Sequence, residues 1–176
     1  MSFQLSLSTE SVSTAYPDQP LFVLPTATVG EVIQLLRAQQ TGSVLVCESD
    51  SAEGDSANNG KLLGIFTERD ALKYMAAASR GTDDVNSANS GIMQQAVSTV
   101  MSTDVTTLQA DASMGETIKT MSQGGYRHLP ILDADGKPTG VENVYGIVHY
   151  LVDHFPQTIY NLPPNPRSIT SEREGA

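Results

Sequence analysis

The chain has 176 residues, 20 of them acidic and 10 basic, and a formal net charge of −10. Its length allows one ordinary domain or two very small domains that share a core. The basic residues are scattered singly and form no positive stripe for a nucleic-acid backbone. The longest apolar runs, such as Val44–Cys47, are far shorter than the about 20 residues of a membrane-spanning helix. We therefore expect neither nucleic acid nor a membrane as a partner.

The ends of the chain and its single cysteine indicate where the protein works. The N-terminus has no basic region followed by an apolar stretch, so no secretory signal is expected. The lone Cys47 cannot build a disulfide framework or a cysteine zinc site within one chain, and its apolar surroundings predict a buried side chain. These features favour a cytoplasmic protein with no metal site. Residues 1–16 are expected to form a flexible N-terminal segment, and residues 157–176 a Pro-rich and polar tail.

One pattern of elements occurs twice along the chain. Thr28 precedes Glu31 by three residues, and Ser113 stands in the same relation to Glu116. This spacing lets the hydroxyl and the carboxylate satisfy the free amides at a helix start. Apolar residues then recur at helical spacing in both segments, so each predicts a helix with one face packed on a sheet.

A β-type run, a polar turn, a returning strand and a final helix follow each of these helices. In the first half these are the run Gly42–Cys47, the turn Glu48–Gly60, the strand Leu62–Phe66 and the helix Asp70–Ala78. In the second half they are the run Arg127–Leu132, the turn Asp133–Gly136, the strand Val144–Val148 and the helix Tyr150–Phe155. The order predicted for both halves is strand, helix, strand, strand, helix. Neither half is long enough to bury a generous core alone, so we expect the two to pack together as an α+β tandem repeat. The predicted boundaries are 17–80 for the first repeat, 81–99 for a linker and 100–156 for the second repeat.

The segment Gly64–Asp70 carries the most chemical information, because it joins a strand end to a helix start. Thr67 and Asp70 have the spacing of a helix-capping pair, which is a purely structural role. A hydroxyl, a carboxylate and free helix amides at one place are also suited to a ribose and a phosphate. Both interpretations remain open from the residues alone.

The repeated order and its motifs resemble the tandem cystathionine-β-synthase (CBS) domains that form a Bateman module. The resemblance rests on Val100–Thr103, on Gly125–Asp133 with its Arg-His-Leu-Pro sequence, and on Gly64–Asp70, and it extends over Pro17–Phe155. It implies two CBS repeats packed as one pseudo-symmetric module. It also implies adenine nucleotides or adenosyl ligands in clefts to which both repeats contribute.

By this resemblance, one cleft has every expected residue type. Thr67 and Asp70 would take the ribose and phosphate, and Arg127 and His128 would face the phosphates. The adenine would lie against the apolar or short side chains of Ile65, Val105, Thr106 and Pro130. An arginine suits this role because its guanidinium bonds phosphate oxygens bidentately.

The other cleft departs from the family pattern on both sides. When Gly146 is aligned with Gly64, His149 stands where Thr is expected and Val152 where Asp is expected. Gly42 and Ser43 replace the Arg-His pair. We therefore expect one competent site and one degenerate site.

The resemblance implies a stand-alone regulatory module that binds an adenine nucleotide, requires no cofactor and modulates an effector protein in trans. The negative net charge favours AMP or ADP, with ATP possible. The family resemblance implies a homodimer. The alternative is a ligand-insensitive dimerisation or scaffold protein in which Thr67 and Asp70 only cap a helix. No nucleophile stands beside a base in the sequence, so we expect no catalytic residues.

Overall fold

A computed structural model describes residues 10–14, 16–49, 60–78 and 91–160. The remaining residues, which include much of the 48–60 turn, most of the predicted linker and the tail from 161 onward, lie outside this description. The strands are β1 Phe22–Val23, β2 Ser43–Cys47, β3 Leu62–Thr67, β4 Leu108–Gln109, β5 His128–Leu132 and β6 Pro138–Asn143. The helices are α1 Val29–Gln39, α2 Glu68–Ala78, α3 Met114–Gly124, α4 Val144–His154 and α5 Pro156–Tyr160, with 3-10 turns at Val12–Thr14 and Val97–Thr99.

Local capping starts α1 and α3, as the sequence predicts. The Thr28 hydroxyl accepts from the Glu31 amide at 3.2 Å, and the Thr28 amide donates to Glu31 Oε2 at 2.8 Å. In α3 the Ser113 hydroxyl accepts from the Glu116 amide at 3.1 Å. Gly125 caps the C-terminal end of α3, and its φ of 65° is a left-handed conformation that glycine adopts without steric cost.

Each repeat has a three-stranded sheet and a core of its own. The order is β1-β2-β3 in the first and β4-β5-β6 in the second, with the first pair of each sheet parallel and the second pair antiparallel. One core lies beneath α1 and α2 and the other beneath α3 and α4. A third buried group, Leu45, Cys47, Ile65 and Val141, draws on both sheets and joins the repeats. The chain is an α+β tandem repeat, and Cys47 is buried as expected.

The sequence prediction of a strand at Val144–Val148 is wrong. The returning strand of the second repeat is β6, Pro138–Asn143, and helix α4 begins at Val144. Asn143 caps this helix, because its Oδ1 accepts from the Gly146 amide at 2.9 Å. A short apolar run fits a strand or a buried helix equally well, whereas the polar and glycine residues of β6 become a strand only by pairing with β5.

Residues 10–14 also differ from the expected flexible segment. Val12 is fully buried in the core of the second repeat, and its amide donates to the carbonyl oxygen of Ala112 at 2.8 Å. The Met114 amide donates to the carbonyl oxygen of Glu10 at 2.8 Å. Residues 10–14 and 16–18 are called the N-terminal strap below. One valine among polar residues gives too weak a signal in the sequence to reveal this packing.

Candidate functional site

A cavity of about 400 Å³ lies where the two repeats meet. The first repeat contributes the end of β3 and the start of α2, and the second contributes the loop from α3 to β5. Of the eight residues proposed from the sequence, the structure brings together five in its lining: Ile65, Thr67, Asp70, Arg127 and His128.

Thr67 and Asp70 form a reciprocal cap at the start of α2. The Thr67 amide and hydroxyl donate to Asp70 Oδ2 at 2.9 and 2.7 Å, and the Asp70 amide donates to the Thr67 hydroxyl oxygen at 3.3 Å. The structural role that the sequence suggests is therefore present. It occupies Oδ2, and within the described residues no donor is bonded to Oδ1 of Asp70. A carboxylate oxygen thus stays available to accept from a ligand in the cavity.

The loop that carries Arg127 is held from both repeats. Arg69 Nη1 on α2 donates to the carbonyl oxygen of Gly125 at 3.3 Å, and the Val144 amide donates to the carbonyl oxygen of Arg127 at 3.3 Å. The ring of Tyr126 lies over Gly124, where a Cβ would overlap the ring carbons. The loop therefore turns at Gly125 and presents Tyr126 and Arg127 to the cavity.

His128 presents a neutral imidazole at pH 7. Burial is the largest cause that lowers its pKa below the usual value, Arg127 and Arg69 lower it further, and the carboxylates of Asp18 and Glu68 act in the opposite direction. A neutral imidazole still offers one N–H donor. The permanent positive charge at this end of the cavity comes from the arginines.

Three proposed residues stand outside the lining of the cavity. Val105 packs against the buried group that contains Ile65, and Pro130 is buried on β5 opposite Val141. The Thr106 hydroxyl donates to the hydroxyl oxygen of Tyr126 at 3.1 Å. Thr106 therefore contacts a residue of the cavity lining but does not line the cavity itself.

The sequence reasoning assigned no place in this cleft to eight other lining residues: Gly42, Glu68, Arg69, Leu72, Ser102, Gly124, Gly125 and Tyr126. Glu68 and Arg69 lie within the segment Gly64–Asp70, but the sequence pattern of that segment assigns them no role. Ser102 reaches the site because its backbone bonds that of Ile65 in both directions, at 2.9 and 3.0 Å.

A second cavity of about 530 Å³ adjoins the first. The two share Gly42, Glu68, Arg127 and His128 in their linings. The second is built from the equivalent elements with the repeats exchanged: the end of β6, the start of α4 and the loop from α1 to β2. The module thus has two pseudo-symmetric clefts with a common wall.

His149 and Val152 do not hold the positions that the sequence alignment assigned to them. Gly64 lies opposite Val46 in the first sheet, and Gly140, not Gly146, holds that position opposite Ile131 in the second. Asn143 therefore stands in the place of Thr67, and Gly146 in the place of Asp70.

Asn143 and Gly146, which hold the positions of Thr67 and Asp70, give the second cleft no carboxylate in the place of Asp70. Both polar atoms of the Asn143 side chain are bonded, because its Oδ1 caps α4 and its Nδ2 donates to Asp18 Oδ2 at 2.6 Å. Gly146 has no side chain, and Gly42 supplies no cation, so among the described residues the cation of this cleft is Arg127, which it shares with the first cleft. The degenerate second cleft stays a prediction, and its argument now depends on Asn143 and Gly146 instead of His149 and Val152.

Within the described residues no cluster of three or more His, Cys, Asp or Glu side chains is placed to hold a metal ion. In the same residues no helix is long and apolar enough to cross a membrane.

Comparison with protein families identifies the class of this molecule. Residues 12–77 and 97–150 match the family model of the CBS domain. These segments cover more than half of the chain, which therefore belongs to the CBS domain family. An uncharacterized 17.7 kDa protein of Acidianus ambivalens, from the bps2 3' region, is 28% identical over 131 residues, which are 74% of this chain and 66% of that protein.

Solved structures share the fold. The CBS-domain containing protein ATU1752 of Agrobacterium tumefaciens has a TM-score of 0.65 at 24% identity, over 84% of this chain and 98% of that one. CBSX2, solved in complex with AMP, has a TM-score of 0.63 at 16% identity, over 82% and 97%. The CBS domain pair of MJ0100, solved with 5'-methylthioadenosine and S-adenosyl-L-methionine, has a TM-score of 0.63 at 16% identity, over 80% and 98%.

Proposed function

We propose that this chain is a regulatory module that binds an adenine nucleotide in the first cleft. One observation carries the proposal: the Asp70 carboxylate, with one oxygen not bonded within the described residues, lines the same cavity as Arg127 from the other repeat. The two groups match the ribose and the phosphate of one ligand. The AMP complex of CBSX2 and the adenosyl complexes of the MJ0100 domain pair, both of similar fold, support this ligand class.

Each part of the nucleotide has a proposed partner. Asp70 Oδ1 accepts from the ribose hydroxyls, and Arg127 and His128 donate to the phosphate. Ile65 and the ring of Tyr126 offer apolar surface to the adenine. Val105 and Pro130 do not contact the adenine and instead pack behind this apolar surface, and Thr106 holds the Tyr126 hydroxyl.

The charge around the phosphate end favours AMP or ADP over ATP. Arg127 and His128 also line the adjoining cavity, which contains the carboxylate of Asp18, and the carboxylate of Glu68 lines both cavities. A longer phosphate chain would extend toward these negative charges, in a protein whose net charge is −10. The preference is thus expected to fall with each added phosphate.

Regulation follows from the composite cleft. A nucleotide bound to both repeats stabilises one packing of α2 against the α3–β5 loop, and it shifts the population toward that arrangement by its difference in affinity. A partner protein that recognises this arrangement responds to nucleotide level. We also propose a homodimer, for which the exposed apolar side chains of Leu72 and Val148 are candidate contacts. The module acts by binding rather than by catalysis, and no cofactor is needed.

Isothermal titration calorimetry with AMP, ADP, ATP and S-adenosylmethionine tests the proposal. The variant carrying Thr67→Ala and Asp70→Ala removes a helix cap that lines the cleft. The matched control carries Ser113→Ala and Glu116→Ala, which removes the cap of α3 away from the cleft. Each change costs roughly 1 kcal/mol in stability, but only the first is expected to weaken AMP binding, by about tenfold or more.

The control separates binding from capping. If wild type binds none of the ligands, and both variants lose only stability, Thr67 and Asp70 act as a cap alone. The short contacts at Asp70 Oδ2 already satisfy that role, and the ligand-insensitive scaffold would then be the better account.

A further inference from the structure

A carboxylic acid occupies a core position in the second repeat. Glu142 on β6 is fully buried and lies opposite Leu129 on β5, which belongs to the apolar core of that repeat. The equivalent position in the first repeat is Phe66 on β3, fully buried opposite Val44. Pseudo-symmetry thus places a glutamate where its counterpart is a phenylalanine.

The Glu142 carboxyl has no hydrogen-bond partner within the described residues, at either oxygen. Its pKa is raised from 4.5 to about 8, mainly by burial; the backbone amide of Asn143 lowers the pKa and the negative charge of Asp18 raises it. An isolated carboxylate is very unfavourable in an apolar core, so the group is protonated at neutral pH.

The charged and titratable groups around Glu142 give it no counter-ion. The strap contributes Asp18, which has the same sign of charge. Burial raises the pKa of the Tyr150 phenol on α4, and Glu10, also on the strap, bonds this phenol and raises its pKa as well, so the phenol stays neutral. On β5, His128 is next to Leu129 but belongs to the other face of the sheet, and its lowered pKa leaves it uncharged. Apart from the backbone amide of Asn143, none of these groups would stabilise an ionised Glu142 in place.

The end of β6 that follows Glu142 also positions the phosphate side of the first cleft. Asn143 is the register partner of His128, and the Val144 amide donates to the carbonyl oxygen of Arg127 at 3.3 Å. Asn143 also caps α4. A movement of Glu142 out of the core would therefore displace the residues that hold Arg127 and His128.

We propose that Glu142 is a buried proton switch: its neutral form holds the end of β6 in the sheet, and its ionisation at alkaline pH releases this end and weakens ligand binding in the first cleft. The ligand part of this inference rests on the proposed function. In the unfolded chain Glu142 ionises at its ordinary pKa of 4.5, whereas the folded protein keeps the proton up to about pH 8. The folding equilibrium constant therefore falls by about tenfold per pH unit in this range, and levels off above it.

The test compares wild type with Glu142→Gln, which keeps the shape and removes the ionisation. The control is Glu48→Gln, which removes an exposed glutamate. AMP affinity is measured at pH 7 and at about pH 9.5, where His128 is neutral in all three proteins. We expect wild type and the control to lose about tenfold or more in affinity, and Glu142→Gln to lose little. An equal loss in all three proteins would overturn the proposal.

A second readout needs no nucleotide. Chemical unfolding of the three proteins between pH 5 and pH 9 should show stability falling with pH in wild type and the control, and a flatter profile in Glu142→Gln. If none of the proteins binds AMP at either pH, the proposed function fails, and the unfolding profiles alone decide whether Glu142 holds a proton. If the free energy of unfolding depends on pH in the same way in all three proteins, Glu142 does not hold a proton at neutral pH and the proposal is refuted. If Glu142→Gln does not fold, Glu142→Leu serves in both measurements.

Discussion

The contact between β3 and the segment at Ser102 depends on the absence of a side chain at Gly64. A Cβ at Gly64 would lie 2.5 Å from Met101 Sδ and 2.8 Å from the carbonyl oxygen of Ser102. The methionine can move, but the carbonyl cannot yield easily, because it accepts from the Ile65 amide at 3.0 Å. Overpacking of this kind costs about 1–3 kcal/mol. Gly64→Ala is therefore expected to lower the free energy of unfolding by that amount and the melting temperature by several degrees.

The pseudo-symmetric glycine provides the matched control. A Cβ at Gly140 would lie 3.4 Å from Pro17 Cβ and 3.5 Å from Ile131 Cδ1, which are ordinary packing distances. Gly140→Ala should change stability by less than about 1 kcal/mol, since the lost freedom of the unfolded chain offsets small strain. Urea unfolding followed by circular dichroism measures both variants. Equal effects, or a neutral Gly64→Ala, would refute the reasoning that the close approach at Ser102 sets the cost.

Three further changes test other parts of the structure. Val12→Ala should cost about 2 kcal/mol in urea unfolding, because it opens a cavity in the core of the second repeat; no loss would mean that the strap does not pack there in solution. Asn143→Ala should cost about 1 kcal/mol by removing the cap of α4, and an unchanged unfolding midpoint would contradict that cap. Relative to Glu142→Leu, wild type should lose roughly 3 kcal/mol of stability between pH 4.5 and pH 7, because its folded pKa is about 8 and the unfolded chain releases its proton first. Unfolding curves with the same pH dependence would contradict the buried neutral acid.

The features that the sequence predicts correctly depend on residues close together in the chain. The caps at Thr28 and Ser113 and the Thr67–Asp70 pair each need residues only three positions apart, so their spacing is visible in the sequence. The repeat itself follows from the recurrence of these local patterns.

The features that the sequence misses depend on pairing across the fold. β6 is a strand because β5 supplies its hydrogen-bond partners, although its own residues resemble a loop. Because the strand was predicted at Val144–Val148 instead, the sequence analysis took His149 and Val152 as the counterparts of Thr67 and Asp70. The structure gives these places to Asn143 and Gly146. Tyr126 enters the first cleft only because the chain turns at Gly125 after α3.

The central claim is that one adenine nucleotide contacts both repeats in the first cleft. Titration of the isotopically labelled protein with AMP, followed by two-dimensional amide NMR, tests it most directly. Amide shifts are predicted at Thr67 and Asp70 on one repeat and at Arg127 and His128 on the other, all with the same dissociation constant. Shifts confined to one repeat, or none at ligand concentrations far above those in cells, would contradict the claim.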